Sequence, residues 1–358
     1  MIGYGHQFID ESDIEEVKKV LEGDFLTCGP KVREFEYRFR DFTGYKYAVA
    51  VNSGTAALHC AIKTLDLQPG DEVIVPSITF AATSNVVLYE GGNVVFADVS
   101  TETLLIDLAD IVKKTTTKTR AIIIVDMAGY HCEKHYEILR QYCKQRNIKL
   151  ISDSCHSLGM IQRNKGNQIA DIVCYSFHPV KHITTGEGGM VLCNDNFEYK
   201  LMKAFRNHGR FEEFNWDMIT MGYNYRMPDI NAALGISQLY KLEKFIDKRR
   251  KIARKYHDCF REIEIYQDIE ESSYHLFIIK IENRNKFMSY MKENDIACQI
   301  HYKPVYRHSY YGNHIVNCPK TSLIEDKIVS IPIYYGLSDF YVEKIIELIQ
   351  KFRLNLEK

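Results

Sequence analysis

The sequence lacks an excess of charge of either sign, because 46 lysines and arginines stand against 47 aspartates and glutamates in 358 residues. A protein that binds duplex DNA normally carries a basic stripe on its surface. The charge balance therefore argues against a nucleic-acid partner. It does not exclude an anionic small molecule, since backbone N–H groups and a helix dipole can hold a phosphate without any net charge.

Long hydrophobic runs and paired cysteines are also missing. The longest purely aliphatic run, 121–125, is far too short to cross a bilayer, and acidic residues at 10–13 interrupt any signal-peptide core. The ten cysteines include no C-x-x-C pair, and the histidine and cysteine clusters at 131–135 and 155–156 lack the paired spacing of a zinc site. We therefore expect free thiols in a reducing, cytoplasmic compartment, no membrane segment and no metal.

Short apolar strands alternate with helical patterns through the first 190 residues or so. This alternation predicts βαβ units around a large, mostly parallel, buried sheet. Strands are predicted at 47–51, 72–76, 94–97, 121–126, 149–153, 173–177 and 189–192, and helices at 12–22, 56–67, 81–90, 108–114 and 134–146.

The rest of the chain predicts a second, smaller unit, in keeping with about 150 residues per domain. A long helical pattern from Pro228 to Tyr256 carries the chain out of the first unit. We expect a large α/β domain over 1–245 and a small α+β domain over 246–358. In the small domain, strands are predicted at 274–281, 297–301 and 329–332, and helices at 284–294 and 339–352.

A candidate phosphate site follows the first strand. The segment Asn52-Ser53-Gly54-Thr55-Ala56 joins the strand at 47–51 to a helix. The free N–H groups and the positive dipole end of a helix N-terminus attract an anion, and the hydroxyls of Ser53 and Thr55 add donors. The alternative is that Ser53 or Thr55 is a simple N-cap.

Two further segments carry reactive side chains. Asp153 ends a predicted parallel strand, at the edge where ligands bind in open α/β sheets, unless it only caps the next helix. Lys181 lies in a loop rich in hydroxyls and glycine between the strands at 173–177 and 189–192. Burial there would lower the pKa of its amine and favour the nucleophilic free base, whereas the alternative is a solvated surface lysine.

Together these three features suit pyridoxal phosphate. The lysine amine would bond to the cofactor, the carboxylate of Asp153 would pair with the pyridinium nitrogen, and the helix N-terminus would anchor the phosphate. The loop around Lys181 does not fit the P-loop pattern, and Gly3-Tyr4-Gly5 follows no strand. A nicotinamide-dependent sugar enzyme is therefore the less favoured alternative.

Five motifs resemble, in order, those of the DegT/DnrJ/EryC1/StrS sugar aminotransferases: NSGTAAL, PSITFAATSN, SDSCHSLG, SFHPVKHITTGEGG and GYNYRMPDINAALG. The resemblance spans nearly the whole chain. It implies a fold-type-I pyridoxal phosphate-dependent aminotransferase, aspartate aminotransferase-like, with a large mixed, mostly parallel sheet and a small C-terminal domain. Some family members that carry His in place of the lysine are sugar dehydratases, so Lys181 favours amino transfer.

The resemblance implies a role for each motif residue at the cofactor. Lys181 would be the catalytic residue, which bonds to the cofactor and then moves the proton between cofactor and substrate carbons. Phe80 would stack on the cofactor ring, unless it is a core residue. The full set implied for the cofactor is Gly54, Thr55, Phe80, Asp153, His156, Ser176, Lys181 and Asn224.

The resemblance also implies a homodimer with shared active sites. Asn224 and Arg226 would reach the cofactor phosphate from a neighbouring subunit, although Arg226 taken alone is simply a cation near a helix start. Taken alone, His301 and Tyr302 are explained equally well as substrate contacts or as residues at the end of a strand. Substrate contacts are implied for Tyr4, Phe25, Leu26, Thr27, Arg226, His301 and Tyr302.

The expected reaction transfers the amino group of L-glutamate to C4 of a UDP-linked 4-keto-6-deoxyhexose, which gives a 4-amino-4,6-dideoxy sugar nucleotide for glycan biosynthesis. Within the family, 299–311 most resembles the UDP-4-amino-4,6-dideoxy-N-acetyl-altrosamine transaminases, with viosamine and perosamine synthases as close alternatives. Two other functions stay open: a C3-aminotransferase of a dTDP-linked keto sugar, and a non-catalytic pyridoxal phosphate-binding regulator. Intact Lys181 and Asp153 argue against the regulator.

Overall fold

The computed structural model describes residues 1–161, 169–211, 215–312 and 316–356. Its main sheet has the strand order β1-β7-β6-β5-β4-β2-β3, and β7 runs antiparallel to both β1 and β6 while the other pairs are parallel. The predicted large, mostly parallel sheet is confirmed. The strands are β1 (Tyr47–Val51), β2 (Glu72–Pro76), β3 (Asn93–Ala97), β4 (Thr119–Val125), β5 (Lys149–Asp153), β6 (Ile172–Ser176) and β7 (Gly189–Cys193).

The helices in the described part of the chain are α1 (Glu11–Leu21), α2 (Pro30–Thr43), α3 (Gly54–Lys63), α4 (Ala82–Tyr89), α5 (Leu108–Lys114), α6 (Glu133–Arg146), α7 (Asn196–Arg206), α8 (Asp229–Leu239), α9 (Leu242–Phe260), α10 (Arg284–Glu293), α11 (Pro319–Ile324) and α12 (Asp339–Leu356). Helices α3 to α6 fill the four connections from β1 to β5, and the other helices precede β1 or follow β7.

Both faces of the main sheet are buried, because alternate residues of each strand point to opposite sides and both sets are apolar. Along β4, Ile122 and Ile124 join the core that contains α2, whereas Ala121 and Ile123 join the core that contains α3. The edge where the strands end is therefore the part of the sheet left open to a ligand.

The C-terminal part of the chain packs around a third apolar core, which α9, α10 and α12 share with a two-stranded antiparallel sheet of β10 (Phe277–Lys280) and β11 (Ile328–Ile331). A short hairpin of β8 (Arg210–Phe211) and β9 (Asp217–Met218) lies outside both sheets. The domain boundary predicted after residue 245 falls inside α9, and Ile2 N donates a hydrogen bond to Asp295 O of the C-terminal part. The division at residue 245 stays a prediction.

Two elements differ from their sequence-based predictions. The helical pattern from Pro228 to Tyr256 forms two helices, α8 and α9, which break at 240–241. The predicted strand at 297–301 forms only an isolated bridge between Gln299 and Ser330, because the chain turns after Gln299 and sends His301 into a cavity. Among the described residues, no helix is long and apolar enough to span a membrane.

A buried carboxylate ties α8 to the turn before α2. Asp229 accepts hydrogen bonds from Gly29 N at 2.7 Å and from Lys31 N at 2.8 Å, and so serves two of the amides that the start of a helix leaves unpaired. Its own N–H donates to Leu26 O at 3.0 Å. Asp229 therefore fixes the turn that contains the predicted substrate residues Phe25, Leu26 and Thr27.

Replacing Asp229 with Ala should lower the midpoint of thermal unfolding by about 2–6 °C, because two buried amides lose their acceptor at a cost of about 1–3 kcal/mol. Circular dichroism during heating measures this change. Asp247→Ala removes an exposed carboxylate of α9 and is the matched control, with an expected effect within about 0.5 kcal/mol. Equal midpoints for the two variants would contradict the assigned role of Asp229.

Candidate active site

A cavity of about 690 Å³ opens at the edge where the parallel strands end. Asp153 is the last residue of β5 and Ser176 is the last residue of β6, so both side chains reach this edge. Most of the sequence-predicted site residues come together in its wall. They are Tyr4, Gly54, Thr55, Phe80, Asp153, His156, Ser176, Lys181, His301 and Tyr302.

The predicted phosphate site is the N-terminus of α3, which begins at Gly54 and faces the cavity. Ser53 is its N-cap, since Oγ accepts a hydrogen bond from Ala56 N at 3.1 Å. The N-cap alternative is therefore correct for Ser53. It does not remove the anion site, because the first amides of a helix and its dipole remain available to an anion beside Gly54 and Thr55.

Two glycines allow the strands around this helix end to approach closely. A Cβ atom on Gly54 would lie 2.7 Å from Cβ of Ser176, and a Cβ atom on Gly189 would lie 2.3 Å from the carbonyl oxygen of Ser53. Both separations are shorter than real Cβ contacts. The start of α3, the end of β6 and the start of β7 therefore approach one another more closely than a residue with a Cβ atom at position 54 or 189 would allow.

Asp153 is buried beneath the cavity, and two donors orient its carboxylate. Thr83 Oγ1 donates to Oδ2 at 2.8 Å, and Cys155 N donates to Oδ1 at 3.3 Å. Thr83 is itself in hydrogen-bond contact with the Thr79 hydroxyl at 2.8 Å. Asp153 thus presents a fixed negative group to the cavity and does not cap a following helix.

Lys181 is held over the same cavity by the connection between β6 and β7. Its N–H donates to His178 O at 2.9 Å, and its Nζ lies 3.4 Å from Nε2 of His275. Burial lowers the pKa of the amine below its usual range. The surface-lysine alternative therefore does not fit, and the amine is poised to act as a nucleophile or a base.

Aromatic and imidazole side chains form the opposite wall. Phe80 is 57% exposed in the cavity and is therefore not a core residue. Its ring centroid lies 5.8 Å from that of Tyr302, whose hydroxyl is in hydrogen-bond contact with His156 Nε2 at 3.1 Å. Nδ1 of His156 is buried without a partner among the described residues, and burial lowers the pKa of this imidazole well below its usual range.

The wall of the cavity also includes Tyr4 and His301, whose ring centroids are 4.8 Å apart. His301 Nδ1 is in hydrogen-bond contact with Ser330 Oγ at 2.9 Å, and burial lowers the pKa of its imidazole to about 3. A neutral His301 and the phenol of Tyr4 can contact a polar, uncharged sugar ring through hydrogen bonds.

Five predicted site residues do not line this cavity within the chain. Phe25, Leu26 and Thr27 lie on the turn fixed by Asp229, where Phe25 and Leu26 are exposed. The backbone carbonyl of Asn224 accepts from Asn52 Nδ2 at 3.3 Å, so this segment lies beside the anion site, but its side chain is exposed. Arg226 Nη1 donates to Asn207 Oδ1 at 2.8 Å and lines a separate cavity of about 370 Å³.

Other residues at the site were missed by the sequence analysis. Thr83 lies in the PSITFAATSN motif, so its proximity to Asp153 could have been suspected from the motif order. His275 comes from the C-terminal part of the chain and gave no sequence signal, because it meets Lys181 only through tertiary packing. Cys155, next to Asp153, also lines the cavity.

The described residues contain no group of three or more His, Cys, Asp or Glu side chains that could hold a metal ion. They do combine a buried carboxylate, the amine of a half-buried lysine, a helix N-terminus and an unpaired imidazole nitrogen in one cavity. These groups match the ring nitrogen, aldehyde, phosphate and ring hydroxyl of pyridoxal phosphate. The fold and the site together define a pyridoxal phosphate-dependent enzyme.

Comparison with known proteins supports the assignment to the pyridoxal phosphate-dependent enzymes. The DegT/DnrJ/EryC1/StrS aminotransferase family profile matches residues 7–350, and this chain belongs to that family. A UDP-4-amino-4,6-dideoxy-N-acetyl-beta-L-altrosamine transaminase from Campylobacter jejuni is 37% identical over 326 residues, which are 87% of this chain and 86% of that protein.

Solved structures give the same result. The sugar aminotransferase Spr1654 from Streptococcus pneumoniae, in its PMP form, matches with a TM-score of 0.90 at 31% identity over 99% of both chains. Helicobacter pylori PseC, an aminotransferase involved in the biosynthesis of pseudoaminic acid, matches with a TM-score of 0.90 at 30% identity over 97% of this chain and 98% of its own. The predicted family, fold class, aminotransferase activity and cofactor are confirmed.

Replacing Gly54 with Ala should weaken pyridoxal phosphate binding at least about tenfold, because the new methyl group would displace Ser176 and widen the anion site. Titration of the cofactor-free protein, followed by absorbance, measures the dissociation constant. Gly336→Ala is the matched control, since its Cβ would have no neighbour closer than 3.8 Å. Wild-type affinity in Gly54→Ala would show that the close approach is not needed for the phosphate.

Proposed function

We propose that this enzyme transfers the amino group of L-glutamate to C4 of a UDP-linked 4-keto-6-deoxyhexose and releases a 4-amino-4,6-dideoxy sugar nucleotide for glycan biosynthesis. The observation that carries the proposal is the buried Lys181 amine, which shares one cavity with Asp153 and the N-terminus of α3. Membership of the aminotransferase family and the 37% identical Campylobacter jejuni transaminase support the choice of substrate.

The proposed cofactor contacts follow from the chemistry of the donors. Gly54, Thr55 and Ser176 would hold the phosphate with backbone amides and hydroxyls. The carboxylate of Asp153, oriented by Thr83, would pair with the protonated ring nitrogen. The unpaired Nδ1 of His156 would face the ring or its hydroxyl, and Phe80 would cover one side of the ring. The side chain of Asn224 would bind the phosphate from a partner subunit.

Pyridoxal phosphate, when bound, supplies an electron sink that allows an amino group to leave one carbon and join another. Lys181 would provide the acid–base chemistry, because a neutral Nζ can accept a proton from a substrate carbon and return it. Burial makes this neutral form available at lower pH than for a surface lysine. The carboxylate of Asp153, held by Thr83 and Cys155, would orient the ring.

The sugar nucleotide would enter past Tyr4, His301 and Tyr302. A volume of about 690 Å³ falls within the range of small-molecule sites and leaves room beside the cofactor for a sugar. Among the alternatives, a regulator that only binds the cofactor would bond it through the same Lys181, and turnover with L-glutamate distinguishes the enzyme from it. A C3-aminotransferase would use the same residues and differ in which sugar carbon faces Nζ.

We infer that the enzyme works as a homodimer with shared active sites. Phe25, Leu26, Thr27, Asn224 and Arg226 lie outside the Lys181 cavity of their own chain, although the family motifs associate them with substrate or cofactor. Exposed apolar side chains accompany them, and such patches on a folded chain favour a protein interface. These side chains are Phe25, Leu26, Trp216, Met218, Ile219, Met221 and Tyr223.

The ten cysteines and the two proposed substrates support a cytoplasmic location. No disulfide joins the cysteines, all of which lie in the described part of the chain. This pattern is typical of proteins from a reducing compartment. The division into a cofactor domain over 1–245 and a small domain over 246–358 remains part of the proposal.

Lys181→Ala should abolish amino transfer, because the amine that bonds the cofactor and moves the proton is removed. The measurement is release of 2-oxoglutarate from L-glutamate in the presence of a UDP-linked 4-keto-6-deoxyhexose. Lys351→Ala, which removes an exposed lysine of α12, is the control and should keep wild-type turnover. Turnover by Lys181→Ala at the wild-type rate would disprove the proposed mechanism.

Mixed dimers test whether the active sites are shared. Lys181→Ala and Arg226→Ala homodimers should both be nearly inactive. Isolated heterodimers should recover about half of wild-type activity, because one of the two sites in each heterodimer combines an intact Lys181 with an intact Arg226 from the other chain. Heterodimers isolated by two affinity tags allow the assay. If each site were built from one chain, mixing would restore no activity.

A further inference from the structure

Lys181 is surrounded by buried histidines, and one of them has no place in the mechanism described above. His275 brings Nε2 to 3.4 Å from Nζ of Lys181, the outer edge of hydrogen-bond range. Its ring centroid lies 4.4 Å from that of His156 and 5.7 Å from that of His182. His275 therefore faces the reacting amine directly, from a part of the chain far away in sequence.

The backbone around His275 is fixed on both sides. Arg249 of α9 donates from Nη1 to the carbonyl oxygens of Tyr274 and His275, both at 3.2 Å, and to that of Ile333 at 2.7 Å. The next residue in the chain, Leu276, donates its N–H to Ala128 O at 3.1 Å. The backbone of this segment is therefore held both by α9 and by the turn after β4.

The surroundings of His275 keep its imidazole neutral. The titratable groups that face it are Lys181, His156, His182 and Arg249, and every one of them is a cation when protonated. An added imidazolium charge would be both desolvated and repelled, so the pKa of His275 lies well below its usual range. A neutral imidazole has one donor and one acceptor nitrogen; Nε2 faces the lysine, and Nδ1 is buried without a partner among the described residues. The tautomer that carries its proton on Nδ1 presents Nε2 to the amine as an acceptor.

We propose that His275 is a positioning residue that holds the Lys181 amine, through a hydrogen bond accepted by Nε2, whenever that amine is not bonded to the cofactor. This inference rests on the proposed function, in which the amine must leave the cofactor and return to it. A lysine side chain is long and flexible, so a released amine needs an acceptor to remain within reach. His275 accepts the hydrogen bond and takes no proton.

The position of the carboxylate supports this role. Asp153 already accepts hydrogen bonds from Thr83 and Cys155, and an ion pair with Lys181 would raise the pKa of the amine and keep it protonated. A neutral acceptor avoids this effect. The neutral imidazole orients the amine, and burial remains the main influence on the pKa of Lys181.

The test measures the pKa of Lys181 in the cofactor-free protein, by acetic anhydride labelling at a series of pH values with mass spectrometry of the Lys181 peptide. The exposed Lys351 serves as the internal standard. His275→Phe removes the acceptor, so the ammonium form of Lys181 loses a hydrogen bond. The pH at the midpoint of Lys181 labelling should therefore fall by about one unit. His275→Gln keeps an acceptor at similar reach and should stay within about 0.3 units of wild type.

Two further variants make the result specific. His275→Asn carries an acceptor that is too short to reach Nζ, and it should behave like His275→Phe, which keeps the test valid if the Phe variant fails to fold. His135→Phe is the matched control, because His135 is a half-buried histidine of α6 whose charged neighbours are Asp126 and Asp107. In His135→Phe, the midpoint of Lys181 labelling should equal that of the wild-type protein.

A second readout follows the return of the amine. Covalent loading of pyridoxal phosphate onto Lys181, followed by its visible absorbance, should slow at least about fivefold in His275→Phe and His275→Asn but not in His275→Gln. Wild-type labelling midpoints for Lys181 and wild-type loading rates in both His275→Phe and His275→Asn would overturn the role of His275. Failure of the wild-type protein to load the cofactor would instead count against the proposed function, so the two failures are distinguishable.

Discussion

The active site depends on the antiparallel pairing of β6 with β7 inside an otherwise parallel sheet. Because these two neighbours run in opposite directions, the connection between them leaves and returns at the same edge, where β1, β4 and β5 also end. That connection carries Lys181 and therefore holds its amine above Asp153. Gly189 at the start of β7 pairs with both Val51 and Ser176. The same residue therefore positions the strand that precedes the anion site and the strand that precedes the Lys181 loop.

The second constraint is the clustering of several buried or half-buried nitrogen bases, in which Asp153 is the carboxylate that acts on Lys181. Lys181, Arg249 and the histidines at 156, 182 and 275 lie close together, and Nη1 of Arg249 donates to the carbonyl oxygens of Tyr274, His275 and Ile333. Desolvation and mutual repulsion favour the neutral forms of lysine and histidine in such a group. The small C-terminal part of the chain thus contributes to the chemistry, since α9 and the segment before β10 supply Arg249 and His275.

Sequence reasoning succeeded where a short local pattern determines the structure. The strands at 72–76 and 149–153 are apolar runs bounded by turns, and the motifs around Asp153 and Lys181 identified the cofactor. It failed at 297–301, because an alternating segment can line a cavity instead of pairing as a strand. Helix α2 was missed although its buried Val32, Phe35 and Phe39 have helical spacing. His275 could not be found, because its position depends on tertiary contacts alone.

The central claim is that this chain moves an amino group from glutamate to C4 of a UDP-linked sugar. The most direct test incubates the wild-type holoenzyme with 15N-labelled L-glutamate and a UDP-linked 4-keto-6-deoxyhexose, and reads the product by NMR. The account predicts 15N bonded to C4 of an intact UDP-4-amino-4,6-dideoxyhexose, with one 2-oxoglutarate formed for each amino sugar. Label at C3, or a deoxygenated sugar without nitrogen, would contradict it.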